Sequence, residues 1–212
     1  MRFDDRRHAG ALLGARIASL HPQSPVVYAL PRGGVPVAHE VALVLDCPLD
    51  VLVVRKLGVP FHRELAMGAI AEGGVVIRND DVIDLAGLDE KAFRAVVAQE
   101  TRELESRLFA YREKVDAIDP AGKTAIVVDD GLATGSTALA AVQVMISKGA
   151  AAVWLAVPVA PSGSLGDLEE LADRIVVLAR PKGFGAVGMW YRDFTQTSDE
   201  EVGALLARSR NH

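Results

Sequence analysis

Two kinds of hydrophobic pattern alternate along this chain. The first is the short, continuous apolar run: "PVVYAL" (25–30), "LDVLVV" (49–54), "KTAIVVDD" (123–130), "AAVWLAVPVA" (151–160) and "RIVVLA" (174–179). Such runs predict strands buried on both faces. The second has apolar residues at helical spacing, in 6–20, 35–46, 136–150, 165–173 and 198–209. Pro36 is tolerable in a first helical turn. Gly149 supplies a stop. Ser198 is a candidate N-cap, with Glu201 completing a capping box. "MGAIAEGGVVIRN" (67–79) predicts strand, Gly-Gly turn and strand. Residues 89–118 predict one long, charged amphipathic helix.

Strands that alternate with helices predict an α/β fold, a central parallel sheet flanked by helices. Ligands on such sheets bind at the carboxyl ends of the strands. The loops after Leu30, Val54, Asp130 and Pro158 are therefore where chemistry is expected. Neither an internal repeat nor a Ser- or Pro-rich linker divides the chain.

Composition narrows the classes. Hydrophobic residues make up 50% of the 212, but aromatics only 5%, so the core must be built from Val, Leu, Ile and Ala. A net charge of −5 argues against a broad nucleic-acid-binding face and leaves room for a local basic pocket. Cys47 is the one cysteine, which excludes an internal disulfide and fits a reducing cytoplasm. Its expected role is that of a small buried apolar residue. The N-terminal stretch has no signal-peptide core, and the longest apolar run is interrupted by Pro158 and too short to span a bilayer. A soluble cytoplasmic protein is expected. His8, His21, His39, His62 and His212 are scattered, so no structural zinc is expected.

Three loops carry the candidate chemistry. In "ALPRGGVPVA", Arg32 precedes Gly33 and Gly34 at a helix start. Glycines there allow close backbone approach to an anion, and the guanidinium suits phosphate oxygens. A plain tight turn with an exposed Arg reads equally well. In "LDVLVVRKLGVP", Arg55 and Lys56 fall where the second strand is expected to end. In "IVVDDGLATGST", Asp129 and Asp130 directly precede Gly131, Leu132, Ala133, Thr134, Gly135, Ser136 and Thr137, a loop whose N–H groups and hydroxyls suit an anion.

Three rivals fit poorly. A P-loop NTPase needs a Lys in the phosphate loop, absent here, and a Walker-B reading lacks its Walker A. A phosphorelay receiver needs an Asp ending a later strand, where this chain has Pro158 and Arg180. A carboxylate pair beside an anion cradle suits a ligand carrying both a phosphate and a diol, because carboxylates accept from two hydroxyls. A 5-phosphorylated ribose has that shape. A pyrophosphate on C1 would employ Arg32, Arg55 and Lys56, and would call for Mg²⁺ held mostly by substrate oxygens and water.

At these residues the chain resembles the type I phosphoribosyltransferases. "IVVDDGLATGST" is similar to their binding signature for phosphoribosyl pyrophosphate (PRPP), "LPRGG" to their pyrophosphate loop, and "VRK" to the basic end of their second core strand. The run "LPRGGVPVA … VRKLGVP … MGAIAEGG … VDDGLATGST … VGMWYRDF" is similar to an uncharacterised bacterial group within that family.

The resemblance implies a Rossmann-like core over residues 1–180 and a small C-terminal hood and helix over 181–212. It also marks 79–120 as a helical insertion, read as a dimer element, a lid or a solvated charged face. It implies transfer of a 5-phosphoribosyl group from PRPP to a nucleobase-like nitrogen acceptor, with Mg²⁺ and release of pyrophosphate, in a homodimer. Asp129 and Asp130 would bind the ribose hydroxyls and contact metal through substrate or water, with Asp130 assisting a proton. Residues 131–137 would hold the 5-phosphate. Arg32, Gly33 and Gly34 would hold pyrophosphate across a strained or cis peptide, supported by Arg55 and Lys56. Residues 57–74, with His62, Arg63 and Glu72, would form a mobile loop.

Lys182, Trp190 or Tyr191, and Asp193 would read the acceptor, although clustered aromatics also suit core or dimer packing. A non-catalytic sensor of PRPP or a nucleotide is the alternative. An RNA-binding attenuator fits the acidic balance less well.

Overall fold

The continuous apolar runs become parallel strands, and the helically spaced ones cover them. The computed structural model describes residues 2–112, 117–163 and 165–209, leaving aside the side chains of 63, 64, 110 and 112. Arg63, His212 and residues 113–116 of the expected long helix thus fall, wholly or in their side chains, outside the described residues. In chain order the elements are α1 (Arg6–Ala18), β1 (Pro25–Ala29), α2 (Gly34–Leu45), β2 (Leu49–Val51), β3 (Val54–Val59), β4 (His62–Ala71), β5 (Val75–Arg78), α3 (Asp80–Leu85) and α4 (Glu90–Arg112). There follow β6 (Thr124–Val128), α5 (Ser136–Ser147), β7 (Ala152–Val159), α6 (Asp167–Leu171), β8 (Arg174–Ala179), a 3₁₀ turn (Val187–Trp190) and α7 (Asp199–Ser209).

A five-stranded sheet runs in the order β2-β1-β6-β7-β8, and every pair is parallel. Because side chains alternate across a strand, β6 feeds two cores. Ile126 and Val128 join Leu13, Ile17, Val41 and Leu205 beneath α1, α2 and α7. Ala125 and Val127 join Ala141, Val142, Met145 and Leu168 beneath α5 and α6. Burial on both faces explains why these strands read as unbroken apolar runs. Their carboxyl ends share one edge, where the loops after β1 and β6 meet.

The run "LDVLVV" is not one strand. It leaves the parallel sheet after Val51, and β3 starts a second sheet of three antiparallel strands, β3-β4-β5. The run stays apolar because Leu52 and Val53 are buried at the crossing between the two sheets. Arg55 and Lys56 consequently lie within β3, opposite Ile70 and Ala69 of β4, not in a loop. Most of the expected mobile loop 57–74 is strand, with turns at Pro60–Phe61 and Glu72–Gly74. The hairpin of β4 and β5 about the Gly-Gly turn appears as expected. The insertion starts with a separate short helix, α3, capped by Asn79, whose side chain accepts from Val82 N–H at 3.2 Å. Its return is tied to the sheet at Ile118: Asp50 accepts from Ile118 N–H at 2.8 Å, and Tyr28 donates to its carbonyl at 2.9 Å.

Helices α1 and α2 pack through glycine. A Cβ on Gly10 would stand 2.5 Å from the carbonyl oxygen of Val37 and 2.9 Å from Glu40 Cβ. Alanine there gains about 1 kcal/mol of helix propensity but forces the helices apart, which typically costs ~1–3 kcal/mol. Gly203 in α7 has nothing within 4 Å of its Cβ position. Thermal melts should therefore show opposite signs. Gly10→Ala should lower Tm by about 2–6 °C and Gly203→Ala should raise it by about 1–3 °C.

Candidate functional site

The site is assembled where β1 and β6 end. Leu30 N–H donates to the Val128 carbonyl at 2.9 Å, which sets the Pro31–Gly34 loop against the end of β6. The two glycines are there for closeness. A Cβ on Gly34 would meet the Val128 carbonyl at 2.7 Å and Asp129 Cα at 3.0 Å, and one on Gly33 would collide with the Asp130 carboxylate. The Pro31–Arg32 peptide bond is cis. Loop and acid pair are thus in van der Waals contact.

Beyond the acids the chain turns over the sheet edge, with Leu132 N–H donating to the Val159 carbonyl at 2.9 Å. Gly135, at φ +74°, then leads into α5. The first internal bond of that helix is Leu139 N–H to the Gly135 carbonyl, so the N–H groups ahead of it face the loop. Thr134 and Ser136 hydroxyls lie 3.1 Å apart. Asp129 and residues 131–138 line a cleft of about 190 Å³, closed on one side by Val187.

The acids are held from far away in the sequence. Asp130 N–H donates to Asp129 Oδ1 at 2.8 Å. Nε and Nη2 of Arg6, at the start of α1, both reach Asp130 Oδ2 at 2.9 Å. The same guanidinium donates to the Thr195 carbonyl at 2.8 Å and lies 3.9 Å over the Phe194 ring. Tyr191 donates to the Asp130 carbonyl at 2.6 Å. Neither Arg6 nor Val187 carries a local sequence signal. Arg6 sits 124 positions from the carboxylate it pairs with.

A second, wider cleft of about 490 Å³ adjoins the first. It is lined by Pro31 and Thr137 on one side, Arg55 and Lys56 of β3, and Gln99, Glu100 and Arg107 of α4. Arg55 is gripped by Glu100, at 2.8 Å from Nε and 2.6 Å from Nη2. Arg32 stands 3.8 Å from Asp199. The structure therefore brings Arg32, Arg55, Lys56, Asp129, Asp130 and the 131–137 loop to one edge of the molecule.

A model of the phosphoribosyl transferase domain matches residues 6–186. The chain belongs to the phosphoribosyl transferase family. Two Mycobacterium tuberculosis proteins, from strains CDC 1551 / Oshkosh and ATCC 25618 / H37Rv, each bear the name "Putative phosphoribosyl transferase". Each is 53% identical over 207 residues, which is 98% of this chain and 47% of the relative. The chain spans about half the length of these curated relatives. The crystal structure of TT1426 from Thermus thermophilus superposes with a TM-score of 0.93 at 41% identity, over 98% of this chain and 99% of that one. The fold is the α/β type I phosphoribosyltransferase fold, a central parallel sheet flanked by helices.

The matched segment contains Arg32–Gly34, Arg55, Lys56 and residues 129–137, and stops short of Trp190, Tyr191 and Asp193. The structure does not gather those residues into one opening. The Tyr191 ring is buried between Phe3 and Phe194, with centroids at 5.4 and 5.1 Å. Trp190 donates to the Phe184 carbonyl at 2.9 Å. Lys182 is exposed. Asp193 accepts from Thr195 N–H and hydroxyl and lines a shallow cleft beside Arg6 and Arg7. Enclosed on both faces, the Tyr191 ring offers no platform for a base; it packs the segment onto Asp130. A larger hollow of about 630 Å³ opens beside Cys47 and Pro48, at the opposite end of the sheet. Burial pushes the Cys47 thiol up to about 11, so it stays protonated and unreactive at neutral pH.

Electrostatics mark the acid pair. Burial, then the neighbouring Asp130 charge, holds Asp129 well above the ordinary carboxylate range. Burial also raises Asp130, and Arg6 opposes it. Carboxylates raised in the folded state favour folding while protonated. That contribution is present below about pH 4 and is lost as pH climbs through the raised values. Asp129→Asn should keep the 2.8 Å bond to Asp130 N–H and remove the repulsion. At about pH 7 the variant should melt ~2–4 °C above the wild type, the shift of about 1 kcal/mol. The gap should close towards about pH 4, as read by thermal melts across that range.

Proposed function

We propose that this chain binds PRPP with Mg²⁺ and transfers its 5-phosphoribosyl group to a nitrogen acceptor of the nucleobase kind, releasing pyrophosphate. One observation carries the reading. A carboxylate pair, an anion-binding helix start and a cation-bearing glycine loop are in direct contact at one sheet edge. Few ligands need all three. The 5-phosphate would lie on the N–H groups and hydroxyls of 131–137. The ribose diol would donate to Asp129 and Asp130. Pyrophosphate would lie against Arg32, Gly33 and Gly34, with Arg55 and Lys56 beyond.

In the reaction the C1–oxygen bond to pyrophosphate breaks and a C1–nitrogen bond forms, with the electron pair leaving on the pyrophosphate oxygen. An oxocarbenium-like state of this sort gains most from fixed position and a stabilised leaving charge. The donor set fits a divalent cation shared with the ligand. Two repelling carboxylates lie side by side, and among the described residues no cluster of three or more His, Cys, Asp or Glu is present. Asp129 and Asp130 would hold Mg²⁺ through water or substrate oxygens, and the cation would offset pyrophosphate charge. A reducing cytoplasm and a homodimer belong to the same proposal. Among the described residues no helix is long and apolar enough to cross a membrane.

A second reading, a PRPP or nucleotide sensor without turnover, is favoured by one contact. Arg6 occupies Asp130 Oδ2, so Asp130 is a poor candidate for a free base. Calorimetric titration of PRPP with Mg²⁺ should show binding that falls at least tenfold in Asp129→Asn and vanishes in Asp129→Asn with Asp130→Asn. Wild-type affinity in the double variant would overturn both readings. Binding with no pyrophosphate release across a panel of nitrogen acceptors would select the sensor.

A further inference from the structure

The insertion 79–120 is not spent on a solvated face alone. Val96, Gln99, Glu100 and Arg107 all line the 490 Å³ cleft. Their spacing of three, four and eleven residues puts them on one side of α4. Phe93, Leu104 and Tyr111, which pack into the core, form the adjoining stripe of the same helix, with Leu104 and Tyr111 one turn beyond Glu100 and Arg107. The cleft side shares the cleft with Arg55 and Lys56 of β3 and with Pro31 and Thr137, the margins of the two loops that carry the proposed function.

Two facts show what this face is built for. The cations at the cleft are met by carboxylates from elements outside the loops. Glu100 of α4 holds Arg55 at 2.6 Å, and Asp199 of α7 stands 3.8 Å from Arg32. Tyr111 donates to Asp199 at 2.6 Å, and its hydroxyl feels both the Arg107 and Arg32 charges. Arg107 lies one turn before Tyr111 on α4, and Arg32 reaches the Asp199 that Tyr111 binds. An anion entering the cleft meets Arg55, Lys56 and Arg107, and its direct competitor for Arg55 is Glu100.

Resting on the proposed function, we propose that α4 forms the outer wall of the leaving-group side, with Arg107 as a further anion-binding residue and Glu100 as the counter-ion that a pyrophosphate displaces from Arg55. The closing cation thus comes from the helical insertion, while the hairpin of β3 and β4 supplies the inner wall. Glu100 sets a threshold. A weak monoanion does not outcompete a carboxylate oxygen that takes both Nε and Nη2 of the guanidinium, and a multiply charged diphosphate does.

The test is calorimetric titration of the whole chain with inorganic pyrophosphate and Mg²⁺ at low ionic strength. Arg107→Gln should weaken binding about tenfold. Glu100→Gln should tighten it about three- to tenfold, because the competitor is gone. Arg102→Gln, an exposed α4 residue away from the cleft, is the control for loss of a charge and should change it less than about twofold. No pyrophosphate binding by the wild type overturns the proposal. So does Arg107→Gln behaving like Arg102→Gln, or Glu100→Gln binding no tighter than the wild type. A parallel PRPP titration separates this from the proposed function. PRPP binding that needs Asp129 but is indifferent to Arg107 overturns the role of α4 alone. Pyrophosphate binding that needs Arg107, with no PRPP binding, supports the α4 wall and overturns the ribosyl reading.

Discussion

Two carboxylates side by side at the end of a buried strand repel one another and resist leaving water, and the rest of the site is arranged around that fact. Their own loop offers Asp129 only the Asp130 N–H. The balance comes from Arg6, brought in by α1, and from Tyr191, which binds the Asp130 carbonyl. Helix α1 can bring its guanidinium there because glycine lets it lie close to α2. The sheet edge, the helix packing and the covering segment 184–195 therefore answer one electrostatic demand.

The same demand explains why stability and function pull in different directions here. An acid pair raised above its ordinary range is a liability in the empty protein. It is the right instrument for a ligand that brings hydroxyl donors or a cation. Active sites commonly hold such locally unfavourable groups, supported by the structure around them.

Much of this was legible in the sequence. The parallel strands announced themselves as unbroken apolar runs because both faces are buried, and the 126–137 stretch carried its chemistry within twelve adjacent letters. What was hidden depended on distance or on a change of sheet. "LDVLVV" stays apolar across the break at Leu52 and Val53, since that crossing is itself buried; nothing in its pattern shows the chain leaving one sheet for another. Arg6 opens an N-terminal helical pattern that gives no sign of an acid 124 positions away. Glu100 and Arg107 lie in a charge run whose default meaning is a solvated face, and only the packing of α4 against β3 gives one side of that run a purpose. Tyr191 lies in an aromatic cluster of a kind used more often for packing than for stacking on a base, and the ring of Phe3 decides for packing.

The tie between Asp130, Arg6 and Tyr191 has a consequence for the order in which the molecule is made. A chain emerging from the ribosome can lay down β1, β6, α5 and β7 and close the apolar core beneath α5 and α6 as it goes. Tyr191 follows Asp130 by 61 positions. Until that segment is out, the acid pair sits at an open edge, hydrated and without its cover. The core is thus able to form early, while the binding edge is finished only when the last of its supports arrives, so that a nascent chain is folded before it is competent.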